Sequence, residues 1–515
     1  MAERTAVRLG KGPAERSAWR RIKAWLRRYG WYVGTIGGAA LILLALAYAG
    51  HKFFRVEPQV VCGDVEPANR DALCAGRDEE LFKYGSLGAE ADRGVPYPIF
   101  HVLPRVFGDL LPGPGGYRSL GIPWEEGREL PVGFAKKTMG FPRITQNCAV
   151  CHAASYRTSP TAKPVIYVTG PAHTTDVQGF LDFLQAAAND PRFSADVMMP
   201  AIEQSFDLGF DDKLIYRFLV IPIARQAILD QAGQFEWMRA HGRPDWGPGR
   251  DDPMNLTKFF MIEMEDDKTT GNADFPSIWN MGLREGHSLN WAGETQDPLA
   301  VFTDSALGLG APPGAAFTER MLQIRSYLRA KAPPPFPAEF GIDQAKAAAG
   351  RDIFQRACGN CHGENGPYFG KVVPIDEIGT DRERFDTWQQ EHADATNRVA
   401  KEMGVDRKNM VKDVGYASQP LDGIWLRAPY LHNGSVPTLR ALLERPERRP
   451  RQFYRGCDIY DPVDMGFVSD GASSACPRVF AFDTGLRGNG NGGHLYGTDL
   501  GAEEKDQLIE YMKTL

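Results

Sequence analysis

Two pentapeptides constrain this 515-residue chain more than anything else in it: Cys148-Ala149-Val150-Cys151-His152 and Cys358-Gly359-Asn360-Cys361-His362. Each is a C-x-x-C-H unit, in which two thiols add to two vinyl groups on one porphyrin edge and the next residue turns its imidazole under the iron. Two covalently bound haem c groups are therefore expected, one on Cys148 and Cys151, the other on Cys358 and Cys361, with His152 and His362 as proximal ligands. A four-cysteine zinc site also uses paired C-x-x-C units. Here, however, 206 residues separate Cys151 from Cys358, and zinc gives no reason for a histidine after both pairs. A thioredoxin-like redox pair needs a strand-helix-strand setting that neither unit has.

Charge divides the chain. Residues 1–28 carry nine Lys/Arg against Glu3 and Glu15, so a chain with a net charge of -6 has a strongly acidic remainder. Between Arg28 and Lys52 lie 23 residues without Lys, Arg, Asp or Glu. As a helix these reach roughly 34 Å, enough for a bilayer core. Trp31, Tyr32 and Tyr48 sit near its ends, and the basic flank precedes it, so 29–51 reads as a single-pass anchor with 1–28 cytoplasmic and 52–515 exported. A cleaved signal peptide is the alternative, because Ala45-Leu46-Ala47 and Ala47-Tyr48-Ala49 resemble cleavage sites. Either way the bulk belongs outside, in the periplasm if the membrane is a bacterial inner membrane. An acidic exported body argues against nucleic acid and suits a basic protein partner.

The other cysteines, Cys62, Cys74, Cys457 and Cys476, are expected to form disulfides in such a compartment. Three pairings are possible, and local pairing, Cys62 with Cys74 and Cys457 with Cys476, is the simplest. With 55 Gly and 37 Pro, long irregular connections are expected. The organisation reads as a basic segment 1–28, the anchor 29–51, a lead-in segment 52–94, a first haem c domain 95–332, a proline-rich linker 333–340 and a second cytochrome c domain 341–515. Helices are predicted over 176–188 and, divided by Pro222, over 211–241. Asp343 to Ala357, rich in Ala, should run as a helix into Cys358. Leu508, Met512 and Leu515 make the apolar stripe of a closing helix, with Gly501 as N-cap and Glu503 and Glu504 in its first turn. The fold class is mainly α: two cytochrome c-type haem domains with long irregular loops, plus one N-terminal transmembrane helix.

The stretch Leu426-Arg427-Ala428-Pro429-Tyr430-Leu431-His432-Asn433-Gly434-Ser435 resembles the A-P-Y-x-H-N-G-S segment of the di-haem cytochrome c peroxidase superfamily. Leu130-Pro131-Val132-Gly133-Phe134 ahead of Asn147, Asp274-Phe275-Pro276-Ser277-Ile278-Trp279-Asn280, and Gly493-His494-Leu495-Tyr496-Gly497-Thr498 are most similar to its rubber-oxygenase-like branch. The resemblance runs from about residue 95 to 515 and implies one haem as reaction centre and one as electron-transfer centre. It also implies His494 as second axial ligand of the second haem, because the Met expected a dozen residues after the A-P-Y-x-H segment is missing; the next is Met465. For the first haem it implies Phe275 as an apolar distal wall. The alternative there is a carboxylate such as Glu285, acting as the acid/base that helps cleave an O–O bond; Trp279 is a candidate electron path in the same motif, and His287 and Trp291 are weaker candidates.

The expected protein is a membrane-anchored exported di-haem c-type cytochrome. In the expected oxidoreductase, haem 2 takes electrons from a donor protein or small reductant and haem 1 activates hydrogen peroxide or dioxygen. The competing expectation is an electron-transfer or redox-sensing module without turnover. Polyisoprene cleavage does not follow from the family name.

Overall fold

The computed structural model describes residues 13–59 and 77–515. The chain divides into two units, 1–58 with 138–141 and 59–137 with 142–515. In the first, helix α1 (Pro13–Phe54) is continuous, and its segment Gly34–Phe54 is long and apolar enough for a membrane span or a signal sequence. Leu41, Ile42, Leu43, Leu44 and Leu46 stand fully out from it. Water would penalise such a surface; a lipid environment would not.

The second unit holds both C-x-x-C-H units. Its architecture is helix and loop, about 47% of the chain being helical, with strands confined to small antiparallel pieces. This agrees with the mainly α expectation. The first motif is the one-turn helix α2 (Ala149–His152), followed by a hairpin of β1 (Ala153–Tyr156) and β2 (Val165–Val168). The predicted helix at 176–188 is α3 (Val177–Asn189), capped by Asp176, whose side chain accepts from Gly179 N. The predicted second stretch is broken more finely than Pro222 alone suggests: α4 (Phe210–Ile215), a π turn over Tyr216–Val220, and α5 (Ile221–Gly233) with Pro222 in its first turn. A proline lacks the donor for the preceding turn, and a wider turn ahead of it absorbs the mismatch.

A short ladder of β3 (Arg250–Asp251) against β4 (Ala273–Asp274) carries the Asp274 motif, whose Pro276 lies beside His152 of the first C-x-x-C-H unit. Helices α6 (Pro298–Gly308) and α7 (Ala315–Ala330) then bury Phe302, Phe317, Met321 and Leu328 in a cluster that includes Ala149 and Ile278. The proline segment follows, with Phe336 packed edge-on to Trp425.

The second motif is framed as expected. Helix α8 (Gln344–Ala357) is capped by Asp343 and leads into α9 (Gly359–His362). The closing helix α10 (Ala502–Met512) has Gly501 at its N-cap and Glu504 reaching back to the Gly501 amide. α8 and α10 cross at Gly350, where a Cβ would lie 1.9 Å from the Gln507 carbonyl oxygen; only glycine permits that approach. Leu508 and Met512 share one core with Trp425, Tyr156, Tyr167 and Trp279, so residues from both motif segments meet in it. Cys457 and Cys476 are disulfide-bonded. The expected partners Cys62 and Cys74 lie outside the described residues.

Candidate haem site

Asn147 is the bracket of the first motif. Its side-chain amide donates to the Lys83 and Gly85 carbonyls at 3.2 and 3.0 Å, and its Oδ1 accepts from Ala149 N. Thr169 N donates to the His152 carbonyl and Ala172 N to the Cys151 carbonyl, so the hairpin strand fixes the turn from both sides. The His152 ring lies against the Pro276 and Gly170 carbonyls, and burial lowers its pKa to about 4. A neutral imidazole is the form that can ligate a metal.

In the second motif, His362 Nδ1 donates to the Gln419 carbonyl at 2.8 Å. That bond fixes the tautomer and leaves Nε2 bare, the usual support for a ligating imidazole. The His494 ring stands with its centre 6.4 Å from that of His362. That spacing leaves room for one metal atom between the two imidazoles. Burial, then the His362 and Arg449 neighbours, lowers the His494 pKa to about 3.

The presentation of His494 is a product of its loop. Gly493 (φ 70°) and His494 (φ 47°) are both left-handed, and a Cβ at Gly493 would lie 2.2 Å from the Gly379 carbonyl carbon. His494 N donates to the Ile378 carbonyl. Arg449 donates to the carbonyls of Asn491, Gly493 and His494. Asn433 donates to those of Gly488 and Gly490, and the Ser435 hydroxyl to Gly490. The A-P-Y-x-H-N-G-S segment thus works here as a clamp on the histidine loop. His432 itself stacks on Tyr416 at 4.3 Å.

Cys148, Cys151, Cys358 and Cys361 are unbridged and line one cavity of about 790 Å³ together with His152, His362 and His494. Burial raises the Cys148 thiol to about 11 and Cys358 to about 12, so both are protonated at neutral pH and not redox-reactive thiolates. Haem c fits these residues: four free thiols in attachment spacing, a supported proximal imidazole and a facing second one, around one mainly apolar space.

Phe275 is buried and lines the cavity; its neighbour Pro276 lies against His152. Trp279 is fully buried, donates from Nε1 to the Asp422 carbonyl at 2.9 Å, and touches Gly170 and Gly423 with its ring edge. It therefore spans from the strand behind His152 to the segment behind His362. Glu285 pairs with Arg325 and Arg329 instead, and His287 packs on Phe369. Trp291 lines the cavity and donates to the Asp274 carbonyl. Sequence reasoning missed Asp251, a cavity-lining carboxyl that burial raises to about 7. It also missed Asp274, raised by burial to about 6 against its partner Arg455. Arg384 with Glu294 at 2.9 Å completes this buried charged rim.

A protein-family model described as "RoxA-like, cytochrome c-like" matches residues 415–454, the stretch that contains Gln419, the A-P-Y-x-H-N-G-S segment and Arg449. This chain is similar to the rubber-oxygenase-like cytochromes. The match implies covalently bound haem c and a redox function. Two uncharacterized proteins of Sinorhizobium fredii (strain NBRC 101917 / NGR234) are also similar. Protein y4iM is 28% identical over 284 residues, 47% of this chain and 64% of that protein. Protein y4iJ is 41% identical over 123 residues, 22% of this chain and 20% of that protein. The chain thus spans less than two thirds of the length of either.

Proposed function

We propose that this chain is a membrane-anchored, exported di-haem c-type cytochrome of the peroxidase type. In this reading it is a peroxidase-like or oxygenase-like oxidoreductase that draws electrons through the second haem and activates hydrogen peroxide or dioxygen at the first. The observation that carries the reading is the asymmetry of the two motifs around one cavity. His362 has a second imidazole facing it, whereas the wall beside the first motif is built from aromatic rings, Phe134 against Phe100 and Phe180. Bound at these sites, haem c supplies one-electron transfer and, where an iron position is open, a place for a small oxidant.

The chain's residues supply the rest. Cys148 and Cys151, and Cys358 and Cys361, fix the two groups covalently. Gln419 holds the His362 tautomer, and the clamp from Asn433, Ser435 and Arg449 positions His494 where, with His362, it would hold the second group. Phe275 walls the first pocket against water. Trp279 bridges the backbone segments behind the two proximal histidines, a through-ring route between the haems. Asp251 stands close enough to the first motif for its charge to act on Cys151, and with a pKa of about 7 it could hold or release a proton there. The basic residues that precede the apolar part of α1 orient the anchor with the body in the periplasm of a bacterial inner membrane, and an acidic body suits a basic electron-transfer partner. Haem domains at 95–332 and 341–515 belong to the same proposal.

A pyridine haemochrome assay on the purified full chain should give two haems. Electron paramagnetic resonance with carbon monoxide titration of the reduced protein should show one low-spin haem and one that binds CO. Two low-spin haems in every redox state, with no CO or peroxide adduct, would instead make the protein an electron carrier or redox sensor.

A further inference from the structure

We propose that Arg284 and Arg427 form a receptor for an ionised carboxylate of the haem attached at Cys358 and Cys361, a proposal that rests on the haem reading above. Both guanidinium groups converge on the same oxygen, Oδ1 of Asp422, at 2.9 and 2.8 Å. The other oxygen of Asp422 accepts from Asn280 Nδ2 at 3.0 Å. One carboxylate therefore serves two arginines, and no other acid pairs with either among the described residues. Arg284 is 3% exposed, and Arg427 lies over the ring of the fully buried Trp279 at 5.4 Å. A net positive charge held out of water in this way is costly unless an anion completes it.

The hydrogen-bond accounting leads to the same place. Arg284 donates from Nη1 to the Ser277 carbonyl, and Arg427 donates to the carbonyls of Pro420 and Asp422. The Nε of each remains buried and without a partner, and both side chains line the cavity that carries the attachment cysteines. The Nε–H left over on each arginine is a charged donor suited to a carboxylate oxygen, and the porphyrin periphery carries two carboxylates. Pro420, which accepts from Arg427 at 2.7 Å, follows directly on Gln419, the residue that holds His362. The pair is therefore tied to the second motif.

The test compares holoprotein of the wild type with Arg427→Met, Arg284→Met and Arg427→Lys. It uses haem content, spin state and separate spectroelectrochemical midpoints for the two haems. Removing a positive charge beside a haem favours its ferric form. Each Met variant should therefore keep two haems and a low-spin second haem, but lower that haem's midpoint and leave the first unchanged. Arg427→Lys, which keeps the charge, should lie near the wild type. If the Met variants do not accumulate, resonance Raman of Arg427→Lys replaces them: loss of the Nε donor should shift the propionate-bending band of the second haem. Unchanged midpoints in Met variants that merely melt lower would overturn the proposal, as would a shift confined to the first haem or an unchanged Raman band. A wild type without covalent haem would instead defeat the haem reading itself.

Discussion

His494 owes its place to a loop that would not hold itself. Six hydrogen bonds from Asn433, Ser435 and Arg449 tie that loop down, and two successive left-handed residues turn the ring inward. His494→Ala should convert the second haem from low-spin to high-spin and leave the spectrum of the first unchanged. An unaltered low-spin resonance would move the role to another side chain; Met410 lines the cavity and is next in line. A second residue-scale outcome concerns Asp251. In the folded protein burial holds its proton to about pH 7, against 3.8 for the ordinary carboxyl. Between those values the folded state binds more protons than the unfolded one, so the group lowers stability progressively as pH rises from about 4 to about 7. Asp251→Asn should remove that decline. Melting curves across this range should show the variant gaining on the wild type toward neutral pH; parallel curves would mean that the carboxyl is solvated.

At the scale of elements, the crossing of α8 with α10 frames the second motif. Gly350→Ala places a methyl against the Gln507 carbonyl and the Tyr511 side chain. The cost of overpacking, about 1–3 kcal/mol, should exceed the helix-propensity gain of roughly 1 kcal/mol. Gly233→Ala, with nothing within 4 Å of the added carbon, is the control and should be neutral or slightly stabilising by denaturant melts. These two helices were legible in advance because a cap, an Ala-rich run and an apolar stripe are local signals that survive in one dimension. The two C-x-x-C-H units were legible for the same reason, since their spacing is local, and the structure brings both to one cavity. Gln419, Arg449 and Asp422 carry no such signal. Each acts through a backbone carbonyl or a distant guanidinium, with no periodicity to betray it, and Asp251 looks in sequence like any acidic residue of a loop. The wide turn at Tyr216–Val220 was hidden too, because it is a response to Pro222 and to packing together.

The second unit is knit across the proline segment. Replacing Cys358 and Cys361 by Ala should remove one covalent haem and, because α8, α9 and α10 pack around that site, most of the cooperative folding of residues 341–515. A double variant that still yields two haems per chain by pyridine haemochrome would refute the attachment. Two ion pairs show how far the consequences would spread. Arg157 beside the first motif pairs with Asp458 at 2.6 Å, and buried Asp274 pairs with Arg455 at 2.8 Å. During synthesis the amino-terminal part emerges first, so the first C-x-x-C-H unit leaves the ribosome long before Arg455 and Asp458, which complete its surroundings. Contacts this distant in sequence make late, slow folding the rule. On the proposed function, a haem at the first motif would be joined to a chain that is still open. A chain truncated before Arg455 leaves Asp274 as a buried carboxylate without its counter-ion, so such fragments should be cleared by proteases and not persist as half-active proteins.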